Sequence, residues 1–260
     1  MNAANHAAWH FFTRLGEAQL LLPAAAVVVW LLVRESIGAA GTAGTEAACG
    51  SAHEARGDPR ALAVQWLWRL GVAAALTTAS KLAFIGWGLG SATLDFTGIS
   101  GHTTFATATY PLLVAAAVPA AWPVARRVGA LVGLGLGLAV GLSRLVVDAH
   151  SVSEVLAGLL VGGWAGVLAF RLGPLRPRFS GWLAPLIGLW FLAATSYAPP
   201  SQSHALVTRL ALALSGRSVP YTRQQLKAHQ SAGAPSLIAP PATAPSATAP
   251  SASVIGPLPL

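Results

Sequence analysis

The side chains able to do chemistry in this chain of 260 residues lie at a few separated points. Lys81 ends one apolar run. Ser100, Gly101 and His102 open the next, Ser143 and Arg144 close a third, and His150 and Glu154 open a fourth. Each type suits work on a phosphate. Arg144 offers a planar fork of donors matching a phosphate, and Lys81 adds a point charge. Ser100 and the Gly101 amide can donate at a helix N-terminus, where the dipole favours an anion. A histidine of near-neutral pKa can attack phosphorus or move protons. Glu154 follows His150 by one helical turn, so a helix sets both on one face. Its carboxylate can hold the imidazole in the tautomer that frees the other nitrogen. The chain has no tight cluster of carboxylates, which argues against a magnesium-dependent route, and no cofactor is expected. The single cysteine, Cys49, excludes an intramolecular disulfide framework and reads as an inert loop thiol.

The elements that must position these residues are apolar helices. The composition is 54% hydrophobic and only 9% charged, against about one quarter charged in a soluble domain. The expected fold is an all-α, multi-pass transmembrane bundle of about six helices. Six segments, 17–34, 61–83, 102–121, 124–144, 152–170 and 181–197, approach the ~20 residues that cross a bilayer. The first reads as an uncleaved anchor closed by Arg34-Glu35, not as a cleaved signal peptide. Asp58-Pro59 reads as a helix start, with an N-cap followed by proline. Arg69 falls inside the second segment, facing other helices or the interface. Pro185 interrupts the last segment. Gly129, Gly133, Gly137 and Gly141 form a stripe for close helix packing.

Around this core, residues 1–16 read as a leader and 17–200 as the membrane domain. Residues 201–230 form a short polar segment able to be helical, and 231–260 a disordered tail rich in Pro, Ala and Ser. The charge of +8 comes from basic residues scattered at the ends of apolar runs. Nucleic acid is therefore not an expected partner, whereas a bilayer is. Arg34, Arg56, Arg60, Arg126, Arg127, Arg171, Arg176 and Arg178 fall on one side, and only Lys81 and Arg144 in the inter-helix loops of the other. The first side should be cytoplasmic, and the cluster should face outward, to the periplasm of a bacterial inner membrane. Arg209, Arg217, Arg223 and Lys227 sit uneasily with six crossings. If 181–197 does not cross, they join the cytoplasmic side.

Ser143-Arg144, five residues, His150, three residues and Glu154 resemble the third signature of the type 2 phosphatidic acid phosphatase superfamily, Ser-Arg-x5-His-x3-Asp. Ile99-Ser100-Gly101-His102 resembles its second signature, Pro-Ser-Gly-His. Lys81 resembles the lysine of its first, Lys-x6-Arg-Pro. The likeness spans roughly residues 61–170. It implies a metal-independent membrane phosphatase acting on a lipid phosphate. His150 would be the nucleophile that forms a phosphohistidine, and Glu154 would orient it. His102 would protonate the leaving alkoxide and then activate water. Lys81, Ser100, Gly101 and Arg144 would bind phosphate oxygens. The chain departs from the pattern at Gly88-Leu89, where Arg-Pro is expected, at Ile99 for proline, and at Glu154 for aspartate.

Blander roles stand beside these. Ser151-x-x-Glu154 is also a capping box, Ser100 or Thr103 can serve only as a cap, and Lys81 and Arg144 can mark an interface. Two other functions stay open. One is a protein of the same fold that binds a lipid phosphate without hydrolysis or transfers the phosphate elsewhere. The other is a small transporter-like bundle. The headgroup and the oligomeric state are not legible.

Overall fold

The computed structural model describes residues 3–42, 59–118, 122–172, 177–197 and 202–231. Residues 43–58, with Cys49 and the expected N-cap Asp58, and residues 232–260, expected to be a disordered tail, lie outside these. The described residues are helical apart from loops, short turns and an isolated bridge between Ser91 and Phe96, so the expected all-α bundle is what forms. In chain order the helices are α1 (Ala3–Leu15), α2 (Ala18–Thr42), α3 (Pro59–Trp87), α4 (Gly101–Ala117), α5 (Pro123–Val146), α6 (Val152–Gly166), α7 (Pro177–Tyr197), α8 (Ser203–Ser215) and α9 (Arg223–Ser231). A 3-10 turn, Val167–Arg171, extends α6.

Each of the six apolar segments holds a helix among the described residues, but the helices differ in reach, and the third ends at Ala117. Among the described residues, three helical stretches are long and apolar enough to cross a membrane: Pro59–Trp87, Val124–Val146 and Val152–Arg171. A fourth crossing arises if Ala8–Leu15 and Ala18–Arg34, bent by 44°, count as one span. Large apolar side chains stand outward on these helices, with Trp68 70% and Leu160 76% exposed. Water would penalise that surface, and lipid does not.

α4 is the axis of the bundle. It is short and rich in threonine, and most of its residues are buried. Thr104 and Thr107 return their hydroxyls to the carbonyls of Ser100 and Thr103 at 2.9 and 2.7 Å, so these two buried hydroxyls are satisfied within the helix. Two stripes of glycine clasp it. On α5, a Cβ at Gly133 would sit 2.5 Å from the backbone of Pro111, and one at Gly137 2.8 Å from Thr107. On α6, Gly162 and Gly166 press on the carbonyls of Thr104 and Thr107 just as closely. The expected α5 stripe is thus a packing surface, and the second stripe completes the clasp.

Several boundaries differ from the sequence expectation. Arg34-Glu35 does not close the first segment, because α2 runs on to Thr42. The leader is itself a helix, and Thr13 Oγ1 lies 3.0 Å from Ser143 Oγ of α5. Pro185 does not break α7. Arg69 reaches the Trp164 carbonyl at 2.8 Å and lies over its ring, between helices. Residues 203–231 fold into α8 and α9, and α8 packs on α3, with Ala211 and Ser215 against Gly86.

α7 begins near the far end of α6 and finishes where Arg14 donates to the Thr195 carbonyl at 2.7 Å. That is the end of the bundle holding Lys81, His102 and His150. Residues 203–231 therefore lie at the same end of the bundle, with Ser203, His204 and Arg223 lining the same cavity as His150. The reason is contact: α8 and α9 meet the C-terminal end of α3 and the loops beside it.

Candidate active site

Two inter-helix junctions set the chemistry-bearing residues of the site. α3 ends at Trp87, and Gly88 follows in a left-handed conformation (φ +72°). The loop from 88 to 100 returns to α4, pinned by Ile99 N donating to Ser80 Oγ at 3.0 Å and Ser100 N donating to the Glu154 carbonyl at 3.1 Å. The turn from α5 to α6 is tightened by the Arg144 carbonyl, which accepts from Ala149 N at 3.0 Å and His150 N at 3.3 Å. Asp148 takes a left-handed conformation there, with φ 53°. This turn sets His150 opposite the start of α4.

A cavity of about 690 Å³ opens at this end. Lys81, Gly101, His102, Arg144 and His150 line it, with Phe84, Ile85 and Phe105 on apolar parts of its wall. The Lys81 Nζ lies 3.8 Å from where a Cβ on Gly101 would stand, beside the start of α4. Ser100 does not line the cavity. It is fully buried, and its hydroxyl accepts from Thr103 Oγ1 at 2.9 Å. It is the N-cap residue of α4, but its side chain caps no amide. Ser143 is likewise buried, bonded to the Val140 carbonyl and to Thr13.

Glu154 lies behind the cavity, with no exposed surface. Its Oε2 meets His150 Nδ1 at 2.6 Å and accepts from Ser151 N at 3.2 Å. The Ser151 side chain accepts in turn from Glu154 N, completing the capping box. Cap and histidine partner therefore coexist in one carboxylate. Its Oε1 accepts from Thr97 N at 2.7 Å and from Arg223 Nη2 at 2.8 Å. A buried charge needs such donors, because an unpaired carboxylate in this setting is strongly disfavoured. His150 sits in the loop between α5 and α6. Burial holds it below its ordinary pKa of 6.5; the Glu154 hydrogen bond opposes this, while the charges of Lys81 and Arg144 lower it further. The imidazole is then neutral at pH 7, with Nδ1 committed to Glu154 and Nε2 left for chemistry.

Sequence reasoning missed Arg223, Thr97 and Asp95. Arg223 donates through Nη1 to Asp95 at 2.9 Å and through Nη2 to Thr97 Oγ1 at 3.2 Å as well as to Glu154. Lys227 Nζ lies 3.0 Å from Asp95. No spacing rule joins residue 223 to 154, since they meet only in the fold. The Arg-Pro departure also has a local setting. A Cβ at Gly88 would lie 3.1 Å from the Tyr221 ring, over which Arg217 stacks at 4.0 Å. Among the described residues, no group of three or more His, Cys, Asp or Glu is placed to hold a metal ion.

The chain is 33% identical over 214 residues to an "Uncharacterized 22.5 kDa protein in cps region" from Klebsiella pneumoniae, covering 74% of this chain and 92% of that protein. No solved structure matches it. The family model described as PAP2 superfamily matches residues 8–178, a stretch that holds every signature residue from Lys81 to Glu154. On that match the chain belongs to the PAP2 superfamily, the type 2 phosphatidic acid phosphatases and their relatives.

Proposed function

We propose that this chain is a metal-independent membrane phosphatase that removes phosphate from a lipid phosphate through a phosphohistidine on His150. Members of the superfamily are generally phosphatases. One observation carries the finer reading. His150 Nδ1 is held at 2.6 Å by a fully buried carboxylate, while the ring lines a cavity shared with Lys81, Arg144 and His102.

In the first step His150 Nε2 attacks phosphorus and the bond from phosphorus to the lipid oxygen breaks. His102, protonated once the bound phosphate offsets the charges of Lys81 and Arg144, gives its proton to the departing alkoxide. In the second step neutral His102 takes a proton from water, whose oxygen attacks the phosphohistidine. Inorganic phosphate leaves, and His150 is restored. Lys81, Arg144 and the Gly101 amide balance charge on the phosphate oxygens. Ser100 would act from beneath, by shaping the start of α4. Phe84, Ile85 and Phe105 on the cavity wall suit a substrate with an apolar body, such as phosphatidic acid, phosphatidylglycerol phosphate or an isoprenyl diphosphate.

On this reading the site faces outward from a bacterial inner membrane. Arg209, Arg217, Arg223 and Lys227 share the site's side, but Arg223 and Lys227 are paired with carboxylates and Arg217 stacks on Tyr221. The inter-helix loops at the opposite end keep the larger share of arginine, which favours a cytoplasmic position for that end. One observation favours a second reading. With Gly88 in place of an arginine, the site has one phosphate-binding cation fewer, which suits transfer of the phosphate to another acceptor.

The test is phosphate release in EDTA from a panel of lipid monophosphates and diphosphates, by wild type and His150→Ala. Release by wild type that is lost in the variant is expected. Equal rates in the two would remove the proposal.

A further inference from the structure

We infer that Arg223, from the C-terminal helix α9, is a positioning residue for the nucleophile, holding the Glu154 carboxylate in the orientation that presents His150. This rests on the phosphatase reading above for its consequence in catalysis, but not for its geometry. Glu154 Oε1 points away from His150 and is fixed by Arg223 Nη2 at 2.8 Å and by Thr97. Oε2 is thereby left to the histidine at 2.6 Å. Arg223 is itself anchored: Asp95, in a left-handed loop conformation with φ 50°, accepts from Nη1 at 2.9 Å. The planar fork thus bridges two carboxylates from separate elements, which a lysine amine cannot do with the same geometry.

The guanidinium lines the cavity wall, yet both Nη atoms are committed to protein oxygens. It therefore differs from Lys81 and Arg144, and it does not replace the arginine missing at Gly88. It acts through Glu154 by fixing a rotamer and by balancing a buried negative charge. The helices α8 and α9, beyond the 8–178 match, then become part of the catalytic unit.

The charge has a consequence at His150. The groups facing that ring are Glu154 on α6, Lys81 on α3, His102 on α4 and Arg144 on α5. Glu17, before α2, acts on Arg144, and His204 on α8 lies near Lys81. Arg223 offsets the one carboxylate in contact with the ring. Without it Glu154 stabilises the imidazolium more strongly, so His150 takes a proton at higher pH.

The test compares wild type, Arg223→Gln and Arg223→Lys as full-length protein in detergent. ¹⁵N-histidine NMR follows the His150 titration, assigned with His150→Ala. Arg223→Gln should raise the His150 midpoint by about half a unit to one unit, and Arg223→Lys should keep it at the wild-type value. In phosphate release, Arg223→Gln should lower kcat with KM and orthovanadate inhibition unchanged, and Arg223→Lys should recover part of kcat. A His150 midpoint that Arg223→Gln leaves in place, or that both variants move equally, overturns the inference. So does a raised KM with weaker vanadate inhibition at full kcat, the mark of a phosphate ligand. If wild type and His150→Ala release phosphate equally, the phosphatase reading fails, while the titration still decides the role of Arg223.

Discussion

Glu154 Oε2 is shared by two donors, the Nδ1 of His150 at 2.6 Å and the backbone N–H of Ser151 at 3.2 Å. One carboxylate thus starts helix α6 and orients the ring that precedes it. The rotamer that caps the helix is the rotamer that holds the proposed nucleophile. Helix formation at α6 and readiness of His150 are therefore one event.

That coupling makes Glu154→Gln informative. On the proposed mechanism His150 must be neutral to attack phosphorus, and it is held below its ordinary pKa of 6.5, with the Glu154 bond working the other way. Activity is then present at neutral pH and lost as pH falls through the His150 value. Removing the carboxylate charge removes the raising influence, so the acidic limb of kcat/KM should move to lower pH. The rate itself should fall by roughly 10²–10⁴-fold, because tautomer control is lost. A pH profile from 4 to 8, on the order of one decade of rate per pH unit along the limb, checks both. A limb that moves to higher pH contradicts the assignment.

The clasp on α4 predicts a contrast within one helix. At Gly133 a Cβ would lie 2.5 Å from the Pro111 backbone, whereas at Gly135 nothing stands within 4 Å. Gly133→Ala should destabilise the bundle by about 1–3 kcal/mol through overpacking. Gly135→Ala should be neutral or stabilising by about 0.5–1 kcal/mol, since alanine favours helix. Thermal unfolding of both variants in one detergent measures the difference, and equal Tm values would show that the stripe is not a close-packed surface.

Much of this was legible in the sequence because the determinants are local. Gly101, His102, Arg144 and His150 each sit at or next to a helix end that the apolar runs mark, and each reaches the cavity; Lys81 reaches it too, but from inside α3, which runs on past the expected end to Trp87. The pairing of His150 with Glu154 needs only one turn of helix. Ser100 shows where such reading stops. A cap position is visible in sequence, but whether its hydroxyl faces a cavity or a neighbouring threonine depends on how α4 is buried. Arg223 shows the same limit more strongly. It lies 69 residues from Glu154, and no period or spacing predicts a contact made by the docking of α8 on α3. The leader helix α1 shows the limit again. Its tie to α5, through Thr13 and Ser143, is a long-range hydrogen bond between two ordinary-looking residues.

The shared side of α8, α9 and the site gives a topology prediction. Val219, between these helices, is 59% exposed. In a Cys49→Ser background, Val219→Cys should react with a membrane-impermeant maleimide in intact spheroplasts. Protection until the membrane is permeabilised would reverse the proposed orientation.

The phosphoenzyme tests the central claim most directly. His102→Ala should still form it from p-nitrophenyl phosphate, whose leaving group needs no proton, but should hydrolyse it slowly for want of a base. The protein is quenched in alkali after a short incubation and the phosphorylated residue is mapped by mass spectrometry. The expected result is phosphate on the His150 imidazole, labile in acid, enriched in His102→Ala and absent in His150→Ala. Release of p-nitrophenolate at the wild-type rate with His150 unmodified, or with phosphate on another residue, would contradict it.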